Sequence, residues 1–185
     1  MSIISFLGPD DILNLRKLSK LFYGITCERS VWIGSLRQAC VLHDVYHPSF
    51  PMEAMSLNEL EHAATAYRRF SRRLRHEFSQ RSSVAPHSLR LLEPSGPGEE
   101  FDNLRLVPGG RFLLSSNRSM LRLWDVGTGL AAPVNNPIAS RNIDDDAAIL
   151  SIRTRACASS SDALVFVSSS ANGITYRLHV FSIFP

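Results

Sequence analysis

Ile3-Ile4-Ser5-Phe6-Leu7-Gly8-Pro9-Asp10-Asp11-Ile12-Leu13-Asn14-Leu15-Arg16-Lys17-Leu18-Ser19-Lys20-Leu21-Phe22-Tyr23-Gly24, carried on through Ser30-Val31-Trp32-Ile33-Gly34-Ser35-Leu36, reads as a run of short helices. Ile3, Ile4 and Leu7 share one face of an opening helix. Pro9 suits a first helical turn, and Asp10 and Asp11 suit the positive end of a helix dipole. Ile12, Leu15, Leu18, Leu21 and Phe22 then recur at three- and four-residue steps, the spacing of one amphipathic helix that Gly24 closes or kinks. Ser30 is placed to cap a third helix carrying Trp32, Ile33, Leu36 and Cys40. The stretch is rich in Leu and Ile but short. The expectation is that it cannot enclose a core alone and leaves apolar side chains for a neighbour to cover.

Working outward, Pro48-Ser49-Phe50-Pro51 predicts an extended break. Ser56-Leu57-Asn58-Glu59 has the capping-box pattern. Leu57, Leu60, Ala64, Tyr67, Phe70 and Leu74 predict a helix over about 57–79. That helix also carries Arg68, Arg69, Arg72, Arg73 and Arg75. Residues 81–100 are rich in Ser, Pro and Gly and read as a linker, with one strand at 88–92.

Beyond residue 100 the pattern becomes β. Strands are predicted at 104–107, 112–115 and 120–126, joined by the turns Pro108-Gly109-Gly110 and Asn117-Arg118-Ser119. Leu121 and Leu123 face one way, Arg122 and Trp124 the other. The arrangement returns at 149–154, 164–168 and 175–183, with turns at 159–162 and at Asn172-Gly173. Trp124 and Phe181 take comparable places in the two sets. The fold class is therefore α+β with segregated halves. The division is 1–50, a helical module; 51–80, a spacer helix; 81–100, a linker; and 101–185, a β region.

Composition narrows the function classes. The chain has 185 residues, 44% hydrophobic and 20% charged, and a formal net charge of +3. These values suit a globular protein of one or two small domains. Cys27, Cys40 and Cys157 are scattered and odd in number, which points to a reducing compartment, cytoplasmic or nuclear. The start carries no signal peptide, and no apolar stretch approaches the length that spans a bilayer. No membrane partner is expected.

Residues 3 to about 40 resemble an F-box. The resemblance runs through Ile3-Ile4-x-Phe6-Leu7, Pro9-x-Asp11-Ile12-Leu13-x-Leu15, Leu18-Ser19-Lys20-Leu21-Phe22 and Val31-Trp32-x-x-x-Leu36. It implies a three-helix module that docks on the linker protein Skp1 in cullin-RING ubiquitin ligases. It also implies that Ile4, Leu7, Pro9, Leu13, Leu15, Leu18 and Trp32 touch or shape the Skp1-binding surface. The same residues would also serve a small bundle that packs only on itself. F-boxes usually open with a Leu-Pro pair ahead of the first helix. This sequence begins inside that helix, as a fragment would.

The C-terminal half resembles WD40-like propeller blades. The resemblance rests on Pro108-Gly109-Gly110-Arg111-Phe112-Leu113-Leu114-Ser115 followed by Leu121-Arg122-Leu123-Trp124-Asp125-Val126-Gly127-Thr128-Gly129. It implies that Trp124 and Ser115 or Ser116 lock neighbouring strands. The usual Gly-His before the first strand is absent, and the second unit keeps Phe181 where a Trp would sit. A propeller needs at least four blades of about 40 residues. The β region has room for about two, so the propeller is incomplete. Together the two resemblances look like the F-box proteins of mushroom-forming fungi.

These readings make the chain a substrate-receptor adaptor of an SCF ubiquitin ligase, not an enzyme, with Skp1 and an unidentified substrate protein as partners. Catalytic, cofactor-binding and metal-binding residues are none. Cys40, His43 and His47 have a spacing that suits zinc, but no fourth ligand lies near them. Asp144-Asp145-Asp146 lacks the spaced oxygens of a calcium loop and reads as a solvated turn. The alternative function is a basic scaffold that binds nucleic acid through Arg68, Arg69, Arg72 and Arg73. The apolar residues at core spacing on the same helix argue against it.

Overall fold

The fold begins with a 3-10 turn, Ile3–Phe6, followed by α1, Pro9–Leu15. Pro9 sits in the first turn of α1, where its missing N–H breaks no bond. The single helix expected through Phe22 does not form. Leu15 ends α1, and α2 restarts at Lys20–Thr26. Ser19 makes the division. Its backbone is extended and its Oγ accepts the Phe22 N–H at 3.3 Å, capping α2. α2 continues past Gly24, which does not close it. α3 spans Arg29–Leu42, so Ser30 lies within its first turn rather than capping it.

The structure is a computed structural model that describes residues 3–80, 100–127, 136–143, 147–156, 163–171, 173 and 175–183. Its described residues fall into two compact units. The helical unit runs to Leu42 and resumes from Pro51 to residue 80. The β unit takes His43–Phe50 and the described residues from 100 onward. The proposed strand at 88–92, the turn at 159–162, Asp144–Asp146 and nearly all of the linker lie outside the described residues.

In the helical unit, the Ser56–Glu59 capping box forms as the sequence predicts and opens α4, Leu57–Ala64. The helix expected over 57–79 is two helices. Thr65 Oγ1 donates to the Glu61 carbonyl at 2.7 Å, and the chain turns there before α5, Ala66–Gln80. A β-branched hydroxyl that bonds back onto the preceding turn favours this break. Buried apolar side chains of the unit include Ile4, Ile12, Trp32, Leu36, Cys40, Met52, Leu60 and Ala64. The first forty residues therefore do share in a closed core, once residues 51–64 contribute Met52 and Leu60.

The β unit holds two antiparallel meanders. One sheet has the order β1 (Asn103–Leu106), β2 (Phe112–Asn117), β3 (Met120–Asp125) and β4 (Ala139–Asn142). The other has β5 (Ala147–Ala156), β6 (Ala163–Ala171) and β7 (Thr175–Ile183). β4 was invisible to periodicity: Ala-Ser-Arg-Asn has no apolar alternation, and all four residues are exposed. Val107, Phe112, Leu114 and Leu121 join Ile149, Ile152, Ala163, Val165 and Val167 in one apolar core. The halves are segregated, α then β, and the described strands close neither a barrel nor a propeller.

His43–Phe50 reaches this core through Tyr46. Its ring meets Phe112 edge-on at 5.8 Å, and its N–H donates to the Pro108 carbonyl at 2.9 Å. The break expected over 48–51 is partly helical, since His47–Ser49 forms a 3-10 turn before Phe50 extends. Gly109 has φ +113°, and a side chain there would collide with Ser49. A glycine is therefore required for the β1–β2 turn twice over, by conformation and by space.

Candidate partner-binding surface

Arg16 organises the helical unit. Its guanidinium donates to the Thr26 carbonyl at 2.8 Å and to the two Glu61 carboxylate oxygens at 2.5 and 3.2 Å. It lies 5.6 Å from the Trp32 ring centroid and 5.9 Å from that of Tyr23, in cation–π range. Trp32 Nε1 donates to the same Thr26 carbonyl at 2.7 Å. Four elements thus meet on one cation: the end of α1, the end of α2, α3 and α4. The hydrogen bond that Arg16 donates to Glu61 holds the Arg16 pKa above its ordinary value despite partial burial. Arg29 adds a second tie by donating to the carbonyls of Met52, Glu53 and Met55.

With the core closed in this way, the residues implicated by the F-box resemblance separate into three groups. Trp32 and Ile4 are buried. Leu7, Pro9, Leu13 and Leu15 are half-buried. Leu18 is 72% exposed. Beside it in sequence, Leu21 is 71% exposed and Tyr23 also stands out, while Phe6 of the opening turn is 70% exposed. Leu21 was assigned to a helical face by spacing alone. The division at Ser19 turns that spacing into two short helices and leaves Leu18 and Leu21 at their junction. Arg16, Thr26 and Glu61 were missed. Residues 45 positions apart carry no local signal of pairing, so no spacing rule finds them.

The lock expected at Trp124 is present in part. Trp124 Nε1 donates to Ser115 Oγ at 2.8 Å, and Phe101 meets the indole edge-on. Phe181 holds the matching strand position in the second sheet but packs against the apolar core. There Ser169 Oγ and His179 Nε2 lie 3.0 Å apart, and His179 stacks on Phe181.

On α5, Arg68 pairs with Asp10, while Arg69 donates to the His62 carbonyl and to Thr65 Oγ1. Burial pushes the Cys40 thiol up to about 11, so it is a core thiol at neutral pH. Among the described residues, no group of three His, Cys, Asp or Glu comes together to hold a metal ion. Among them also, no helix is long and apolar enough to cross a membrane. No known protein family, curated protein or solved structure matches the chain.

Proposed function

We propose that the chain is an adaptor of an SCF-type ubiquitin ligase. The helical unit binds a Skp1-like protein, and the β unit presents a target for ubiquitin transfer. The observation that carries this reading is the exposure of Phe6, Leu18 and Leu21 on a unit whose core is already closed by Trp32 and Arg16. Apolar side chains that the unit's own packing does not need are available to a partner. Tethering would raise the effective concentration of target beside the ligase and asks no catalytic group of this chain. At least two of the four arginines of the nucleic-acid alternative are engaged within the helical unit, which weakens its support.

The test is capture of the full chain on immobilised Skp1. Leu18→Asp with Leu21→Asp should weaken capture by roughly a hundredfold, because two exposed apolar anchors become charges. Its thermal melt should stay near wild type, since neither side chain is in the core. Absence of wild-type capture, or equal capture of the double variant, overturns the proposal.

A further inference from the structure

α5 is a basic amphipathic helix whose aromatic side chains were expected to be core and are not. At 100° per residue, Tyr67, Phe70, Leu74 and Phe78 fall within an arc of about 80°. Arg68, Arg69, Arg72, Arg73 and Arg75 occupy an opposing arc of about 160°. Phe70 is 60% exposed and Phe78 75% exposed; Tyr67 is also exposed, and Leu74 is half-buried. Glu77 is the one acidic residue in the helix.

From this arrangement we infer that α5 lies on an anionic lipid surface, with its aromatic face at the acyl boundary and its arginines among the headgroups. The helix is far too short and polar to cross a bilayer, but lying on one is a different demand. It requires a strongly segregated helix, basic on one face, with large apolar side chains on the other. Aromatic rings settle at the polar–apolar boundary of a bilayer. Arg75 borders the aromatic arc, so its stem can run along apolar surface while its head reaches phosphate or carboxylate. Arg72 and Arg75 supply the charge complementarity.

Segregation also decides against nucleic acid. A single strand binds where base-stacking rings and phosphate-binding cations stand side by side. Here the two sets face opposite ways. The arginines that Asp10 and the end of α4 hold, Arg68 and Arg69, fix the start of the helix. Arg72 and Arg75 remain for the headgroups.

Flotation of the full chain with phosphatidylcholine vesicles carrying about 30% phosphatidylserine tests the inference. Binding should appear with these vesicles and fall at least about tenfold with phosphatidylcholine alone. Arg72→Gln with Arg75→Gln should reduce it by roughly 30-fold at low salt. Phe70→Ser with Phe78→Ser should reduce it by at least roughly tenfold, with an unchanged melt monitored at Trp32. Several outcomes overturn the proposal. One is no binding to either vesicle. Another is binding that ignores the phenylalanines, which would mean adsorption by charge alone. The last is retention on single-stranded poly-uridylate, or on an acidic helix-binding protein such as calcium-loaded calmodulin, in place of vesicles. Skp1 capture is read separately at Leu18 and Leu21, so either proposal can fail without the other.

Discussion

The helical unit and the β unit solve the same problem, a small core, by different means. The helical unit gathers its short helices around a cation. Arg16 lies within cation–π range of two aromatic rings and is held by Glu61 and the Thr26 carbonyl. The β unit has its own tied cation, Arg111, but strand alternation assembles its core. Alternation along β2, β3, β5 and β6 delivers Leu114, Leu121, Ile152, Val165 and Val167 to one apolar cluster. Helices of seven or eight residues have too few turns to form a continuous apolar stripe, so their mutual angles are set by specific polar ties. Strands of six to ten residues align their apolar side chains through the ladder itself.

The largest expected effect comes from the two tryptophans, one in each unit and the only two in the chain. Trp32→Ala and Trp124→Ala should each remove about 3–5 kcal/mol from its own unit. Each variant keeps one indole, so emission during urea unfolding reads the unit left intact. The midpoint of that unit should move by less than about 0.5 kcal/mol equivalent. A common loss in both units would break the comparison.

A smaller effect separates a charged hub from an apolar core. Glu61→Ala should cost about 1–3 kcal/mol, the penalty of leaving a partly buried guanidinium without its carboxylate. Arg16→Met combined with Glu61→Leu should recover most of that loss, measured by the same urea titration. If the double variant is as unstable as the single one, the ion pair itself contributes stability and the hub is more than an alignment device.

The smallest effect sharpens the β side. The guanidinium of Arg111 donates to both Asp125 oxygens, at 2.8 to 3.1 Å, and holds that carboxyl below its ordinary pKa. The stabilisation is therefore complete above the unfolded carboxylate value of about 3.9 and is lost as pH falls through the lower folded value. Asp125→Asn should lower stability at neutral pH by roughly 1 kcal/mol after screening and should flatten this acid limb. Melts followed at Trp124 from neutral pH into that range read the difference; an unchanged acid limb in the variant refutes the assignment.

Much of this was legible in the sequence because it is local. Pro9, the Ser56–Glu59 box, the Gly109-Gly110 turn and the two faces of β3 act within a few residues of themselves. The split at Ser19 and the break at Thr65 were harder, because one hydroxyl overruled an apolar spacing that continued unbroken across it. Tyr67 and Phe70 have core spacing, yet nothing within a helix records whether a neighbour arrives to cover it.

On its own, the sequence determined the segregation of helix from strand, the positions of six of the strands and the apolar faces those strands would carry. Those properties follow from propensity and from periods of 3.6 and 2, which are fixed by backbone geometry. Only the tertiary structure decided that Arg16 would pair with Glu61, that Tyr46 would enter the β core and that Leu18, Leu21, Phe70 and Phe78 would remain outside. Those outcomes depend on which surfaces meet in space, and side chains distant along the chain carry no mark of that meeting.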